Sequence, residues 1–308
     1  MNGEIGRYCG GIGFGINYPL TKISVERVGN VDKIEGTYSD KMRHVLDVIR
    51  NKFDLSGKYH IRAPAQIAEH IGLGSESQMY LALADTLLKL EGKHAEPNEV
   101  IKTLKLGGVS GIGHHAYYSG GLVVDGGYSF GPGKDVTKFT QHSKNPAPLI
   151  ARHDFPDRWK VILAIPRNRQ SLSGELEDAF FIRILPLPLF HAQQISHETL
   201  MHLLPAVAIK DFDEFIISLK AITALGQKPF EVELNREHLE KILDSLERHT
   251  GFSAVTSLGP TCYSFIDATK IKKADIARLL GRIRRETGAQ VVLTSVRNYK
   301  TEPKIIQK

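Results

Sequence analysis

The residues best suited to chemistry lie in Ile71-Gly72-Leu73-Gly74-Ser75-Glu76-Ser77, directly ahead of Gln78 to Leu90, a segment with apolar residues at helical spacing. Glycines let a backbone turn tightly and approach a ligand, and the free N–H groups of a helix's first turn, aided by its dipole, favour a negative group. Gly72, Gly74, Ser75 and Ser77 are therefore candidate contacts for phosphate or pyrophosphate. The plainer reading is a helix start in which Ser75 or Ser77 is the N-cap. Glu76 stands inside the same loop, where a carboxylate repels phosphate unless it binds magnesium or points away to solvent.

Two further glycine passages carry candidate groups, Gly107 to His115 and Gly259-Pro260-Thr261. His114 and His115 could deprotonate an acceptor hydroxyl, against the commoner structural role of a histidine. Asp125 closes the short apolar strand Gly120 to Asp125, and holding magnesium and capping the following Gly126-Gly127 turn carry equal weight. Arg7, beside the glycine-rich turn Gly10 to Gly15, is suited to clamping a phosphate with two donors or to a surface salt bridge. Cys9 and Cys262 lie too far apart in sequence for metal-ligand spacing.

These groups need a frame. A chain of 308 residues exceeds the size at which single cores stop growing, so two domains around one cleft are expected, with a boundary in the Gly-, Pro-, Lys- and Asn-rich stretch Gly131 to Pro148, read as a linker or mobile loop. The domains are then 1–148 and 149–308. Alternation predicts a strand over Lys22 to Val28, and helical spacing predicts helices over Asp40 to Lys52, Ile195 to Leu203, Phe212 to Leu225, Arg236 to Thr250 and Lys273 to Thr287. Trp159 to Ile165 and Gln290 to Ser295 read as strands, Phe252 to Ile266 as two strands joined at Gly259-Pro260, and Ser173-Gly174-Glu175 as a helix start. The second half is thus an α+β sandwich on an antiparallel sheet.

The net charge of +6 suits anionic ligands in general. The one dense basic cluster, Arg278, Arg282, Arg284 and Arg285, lies on a single helix without interleaved aromatics and reads as a solvated face, so no nucleic-acid partner is expected. No apolar run approaches the ~20 residues that span a bilayer, and no signal peptide is present, so a cytoplasmic protein with no membrane partner is expected.

Taken together, Gly72 to Ser77, Gly111 to His114 and Gly259 to Thr261 resemble the three motifs of the small-molecule kinase superfamily that includes galactokinase, homoserine kinase and mevalonate kinase. The closer resemblance is to a non-kinase branch, the archaeal β-ribofuranosylaminobenzene 5′-phosphate synthases. It is carried by Asn2 to Arg7 leading into Gly10 to Phe14, His70 to Ser75, Ser110 to Gly113, Gly120 to Gly127, Ala151 to Pro156 with Trp159, and Leu172 to Glu175. The resemblance implies an α+β fold with an N-terminal domain carrying the phosphate loop and a ferredoxin-like C-terminal domain. It also implies a homodimer and a pentosyltransferase of methanopterin biosynthesis that condenses phosphoribosyl pyrophosphate with 4-hydroxybenzoate or 4-aminobenzoate, with Mg2+, releasing carbon dioxide and pyrophosphate.

On that resemblance Gly72, Gly74, Ser75, Ser77, Gly111, Gly113, Gly259 and Thr261 hold phosphate or pyrophosphate, His114 and Asp125 are catalytic candidates, Glu76 is a candidate metal ligand, and Arg7, Arg152 and His153 bind substrate anions. Many of the kinases carry an activating aspartate where this chain has Gly113, so the base is missing. An ATP-dependent kinase remains the alternative, and a scaffold without turnover is a third reading. The family opens with a further strand, so Met1 reads as an internal methionine, with ~5–15 residues expected upstream.

Overall fold

The computed structural model describes residues 5–167 and 175–306. In the first half two helices, Ser39–Phe53 and Ser75–Leu90, lie on a three-stranded sheet. Its central strand Lys58–Ala65 pairs antiparallel with Lys22–Val28 and parallel with Lys33–Glu35. Met42, Val45, Leu46 and Ile49 recur at three- and four-residue spacing, which gathers them on one helix face against Leu83, Leu87, Leu88, Tyr59 and Ile61.

A second sheet joins Gly11–Phe14, Leu122–Asp125 and Leu149–His153, all antiparallel. The first half's sheet therefore runs on past the boundary expected at 148/149, as far as His153. The preceding stretch, expected as a linker or mobile loop, is packed instead. Val136 and Ala147 give it apolar side chains to bury against Tyr8, Cys9 and Tyr128, and Asp135 accepts hydrogen bonds from Ser143 and Asn145.

The second half is a four-stranded antiparallel sheet in the spatial order Ala254–Val255, Cys262–Asp267, Trp159–Ile165, Gln290–Ser295. Counted along the chain that order is 2-3-1-4, with the helix Lys273–Thr287 between the last two strands, which is the ferredoxin-like arrangement. Helices Arg236–Thr250 and Lys273–Thr287 both stop at glycines in the left-handed region, Gly251 and Gly288, which bear no Cβ penalty there. Helix Phe212–Thr223 starts at Asp211, whose carboxylate accepts from the N–H groups of Asp213 and Glu214. The helix expected over Ile195 to Leu203 is the end of Leu189–Glu198 followed by one π-helical turn, Thr199–Leu203.

Period-two alternation along Trp159–Ile165 feeds two cores. Ile162 and Ala164 face Leu239, Ile242, Leu246 and Ile283, whereas Trp159, Val161 and Leu163 face Phe155, Phe215 and Phe265 together with Leu122, Ile12 and Phe14 of the first half. The second core thus welds the halves. The chain after Ser295 adds a seam, since Arg297 N–H donates to Gly15, Gly121 N–H to Arg297 and Thr301 N–H to Tyr117. Among the described residues no helix is long and apolar enough to cross a membrane.

Candidate active site

The loop ahead of helix Ser75–Leu90 is built from left-handed residues: His70, Gly72 and Gly74 all have positive φ, at 56°, 76° and 62°. Ile71 and Ile67 anchor it on Ile165 of the second half. Gly74 is the N-cap, and no side chain caps the helix. The first backbone bond inside the turn is Gln78 N–H to Gly74, so the N–H groups of Ser75, Glu76 and Ser77 have no acceptor among the described residues. Free donors at the positive end of a helix dipole are a ready anion site.

Gly259 holds this loop from the second half. A Cβ on Gly259 would lie 2.3 Å from both Cα and N of Gly72, and one on Gly72 would lie 2.0 Å from Thr256 Oγ1. Backbone approaches that close admit only glycine on either side. Thr261, fully buried on the same turn, leaves its hydroxyl without a partner among the described residues. Gly113 closes the other flank: a Cβ there would sit 3.4 Å from Ser77 Cβ, and Gln78 Nε2 donates to the Gly113 carbonyl at 2.7 Å. Six of the expected anion contacts, Gly72, Gly74, Ser75, Ser77, Gly113 and Gly259, therefore come together at one helix start.

The remaining candidates have other partners. Gly111 N–H donates to Asp125 Oδ2 at 2.9 Å and Gly127 N–H to Oδ1 at 3.0 Å, so Asp125, only 4% exposed, caps two backbone turns with both oxygens. Burial pushes its carboxyl above the usual range, against those hydrogen bonds. His115 Nε2–H donates to the Ala147 carbonyl at 2.8 Å. His114 is 3% exposed, wedged against Gly107, with Nε2 unpartnered. Burial, then neighbouring His115, holds its pKa down to about 4, so it is neutral and a weak base at neutral pH.

Arg7 donates to the carbonyls of Gly126 and Gly127, at 2.6 and 2.8 Å, and so buckles the first strand to that turn. Arg152 donates to Gly120 and Asn298 and pairs with Asp154, and it lies with His153 on the strand beside Leu122–Asp125. Glu76 turns away from the loop to Lys41, at 3.3 Å. With Glu76 and Asp125 so paired, and no group of three His, Cys, Asp or Glu gathered to hold a metal among the described residues, the side chains expected to bind magnesium do not form a cage for it. Lys41, Gln78 and Thr256 are not among the site residues that the sequence suggests. None lies in a glycine motif, and only the folding of distant segments brings Lys41 and Thr256 to the loop.

The chain has the fold of the homoserine and mevalonate kinases. Solved structures with the same fold include a mevalonate kinase (TM-score 0.65, 13% identity, 95% of this chain and 93% of that one) and a homoserine kinase attributed to Listeria monocytogenes (TM-score 0.62, 17% identity, 94% and 91%). At such identities the likeness concerns the fold alone. No family profile matches the chain.

Curated relatives carry the identity further. Proteins named β-ribofuranosylphenol 5′-phosphate synthase are 31% identical in Methanothermobacter thermautotrophicus (97% of this chain, 92% of that protein), 34% in Methanocaldococcus jannaschii (87% and 85%) and 33% in Archaeoglobus fulgidus (98% and 94%). The chain belongs to the β-ribofuranosylphenol 5′-phosphate synthase family and is a ribosyl-transferring enzyme, as the resemblance in its glycine motifs implied.

Proposed function

We propose that this protein condenses phosphoribosyl pyrophosphate with 4-hydroxybenzoate in the methanopterin pathway, releasing pyrophosphate and carbon dioxide. The ring carbon para to the hydroxyl is electron-rich and bears the carboxylate. Its electron pair forms the bond to ribose C1 as the bond from C1 to the pyrophosphate oxygen breaks, and the pair of the departing C–CO2 bond restores the aromatic ring. The phenol in the relatives' names supports the hydroxyl acid over the amino acid as acceptor.

The observation that carries this reading is the uncapped start of helix Ser75–Leu90, with Gly113 where many kinases of this fold carry a carboxylate. The free N–H groups of Ser75, Glu76 and Ser77 would stabilise charge developing on pyrophosphate in the transition state, which is where such fixed donors accelerate a reaction. Gly72 and Gly259 set the loop's shape, and the welded halves keep it from drifting. Incubation with magnesium, phosphoribosyl pyrophosphate and carboxyl-labelled 4-hydroxybenzoate is expected to release labelled carbon dioxide. Release from 4-aminobenzoate alone would change the acceptor, and release from neither would reject the reading. Thermal stabilisation by ATP but not by phosphoribosyl pyrophosphate would favour a kinase instead.

A further inference from the structure

Glu76 occupies the second position of the helix whose free N–H groups form the anion site. A carboxylate there is attracted to the same donors by the helix dipole and can fold back over them, as an internal competitor for any bound anion. In this structure it does not. Lys41, on helix Ser39–Phe53, reaches Glu76 Oε2 at 3.3 Å and Glu69 Oε1 at 2.8 Å. Tyr80 follows Glu76 by one helical turn and so shares its face, and burial, then the nearby Glu76 carboxylate, pushes its hydroxyl's pKa up. Glu76 and Glu69 line a small cleft with Tyr38, Gln66 and Met79, whereas Ser77, the next residue, faces Gly113. The Lys41 ammonium, disfavoured by burial, is nonetheless held above its ordinary pKa by its two carboxylates, so it stays charged.

We infer that Lys41 is a positioning residue that keeps the Glu76 carboxylate out of the pyrophosphate site. The inference rests on the reading of that loop as the pyrophosphate site. Without Lys41, Glu69 and Glu76 form a like-charged pair, and their repulsion drives Glu76, the one on the loop, toward the free N–H groups. Lys41 therefore acts on affinity for the anion through Glu76, without touching substrate.

Calorimetric titration with inorganic pyrophosphate, together with steady-state kinetics in phosphoribosyl pyrophosphate, tests this. Lys41→Gln is expected to weaken pyrophosphate binding and raise KM about tenfold, the effect of roughly one lost ion pair, with kcat changed much less. The double variant Lys41→Gln/Glu76→Gln is expected to recover affinity to within about threefold of the parent, because the competitor has lost its charge. Glu76→Asp keeps the charge but shortens the reach to Lys41, so it should weaken binding more than Glu76→Gln does. That pair decides the matter even if Lys41→Gln fails to fold. An unchanged Lys41→Gln, a double variant as weak as the single, or equal affinities for Glu76→Asp and Glu76→Gln would each overturn the inference. If the unsubstituted protein does not bind pyrophosphate at all, the reading of the loop itself fails and this inference with it.

Discussion

Two glycine passages of similar composition meet at the cleft, and they do opposite things. In Gly72 to Ser77 the N–H groups of the first helical turn have no acceptors among the described residues, and the loop keeps its shape because glycine backbones, Gly72 against Gly259, press directly on each other. In Gly107 to His115 the backbone donors are consumed within the protein: Gly111 by Asp125, Ile112 by Ser110, and His115 by the Gly111 carbonyl. A glycine-rich loop is thus an anion site or a scaffold according to what accepts its N–H groups, which composition does not reveal.

The contrast breaks first at Gly259. Gly259→Ala places a methyl group 2.3 Å from the Gly72 backbone, so one of the two turns must move. Displacement of a positioning loop by even 1 Å costs roughly 100-fold in rate, so kcat/KM for phosphoribosyl pyrophosphate should fall by about that factor while the thermal midpoint moves far less. Activity near that of the parent would show that the contact does not set the loop's geometry.

In the second passage the expected loss is of stability, and it comes with acid. His114 has an unfolded pKa near 6.5 and a folded one of about 4, so below pH 6.5 the unfolded chain binds a proton that the folded one refuses. Its contribution is complete above pH 6.5 and drains away as pH falls toward 4, reaching about 2 kcal/mol by pH 5. Denaturant unfolding at pH 7 and pH 5 should show that difference in the parent. His114→Asn should shrink it, whatever packing the substitution itself costs. An equal pH slope in both proteins would remove His114 from the account.

Much of this was legible in the sequence because the signals were local. Strands Trp159–Ile165 and Gln290–Ser295 and helices Arg236–Thr250 and Lys273–Thr287 have the expected bounds. Lys58–Ala65, the central strand of its sheet, was not among the expected strands, although Tyr59, Ile61 and Ala63 alternate with polar residues as a half-buried strand requires; only Pro64 weakens that signal. Helix Ile112–Ser119 was hidden by Gly111 and Gly113, residues that disfavour helices in isolation and are tolerated here because Ile112 packs against Gly11 and Gly13. Within the site, the meeting of Gly72 with Gly259 followed from the family resemblance. The partners of Glu76, Arg7 and Arg152 lie on other segments, and no spacing along the chain encodes them.

Gly113 is where the two passages touch, and so where the contrast is sharpest. It lies on the scaffold passage, yet it stands against Ser77 at the wall of the proposed anion site. Gly113 is not in the left-handed region, and a Cβ would meet Ser77 at 3.4 Å, an ordinary contact, so a side chain fits without backbone strain. Gly113→Asp therefore tests charge more than shape. Its carboxylate would stand beside the first turn of helix Ser75–Leu90, repelling pyrophosphate and competing for its donors. We expect kcat/KM to fall about tenfold, some 1.4 kcal/mol. Gly113→Asn, of nearly the same size and uncharged, should lose about threefold or less. Equal losses for the two would mean that Gly113 matters for its space alone, and that the missing carboxylate has no part in distinguishing this enzyme from the kinases whose fold it shares.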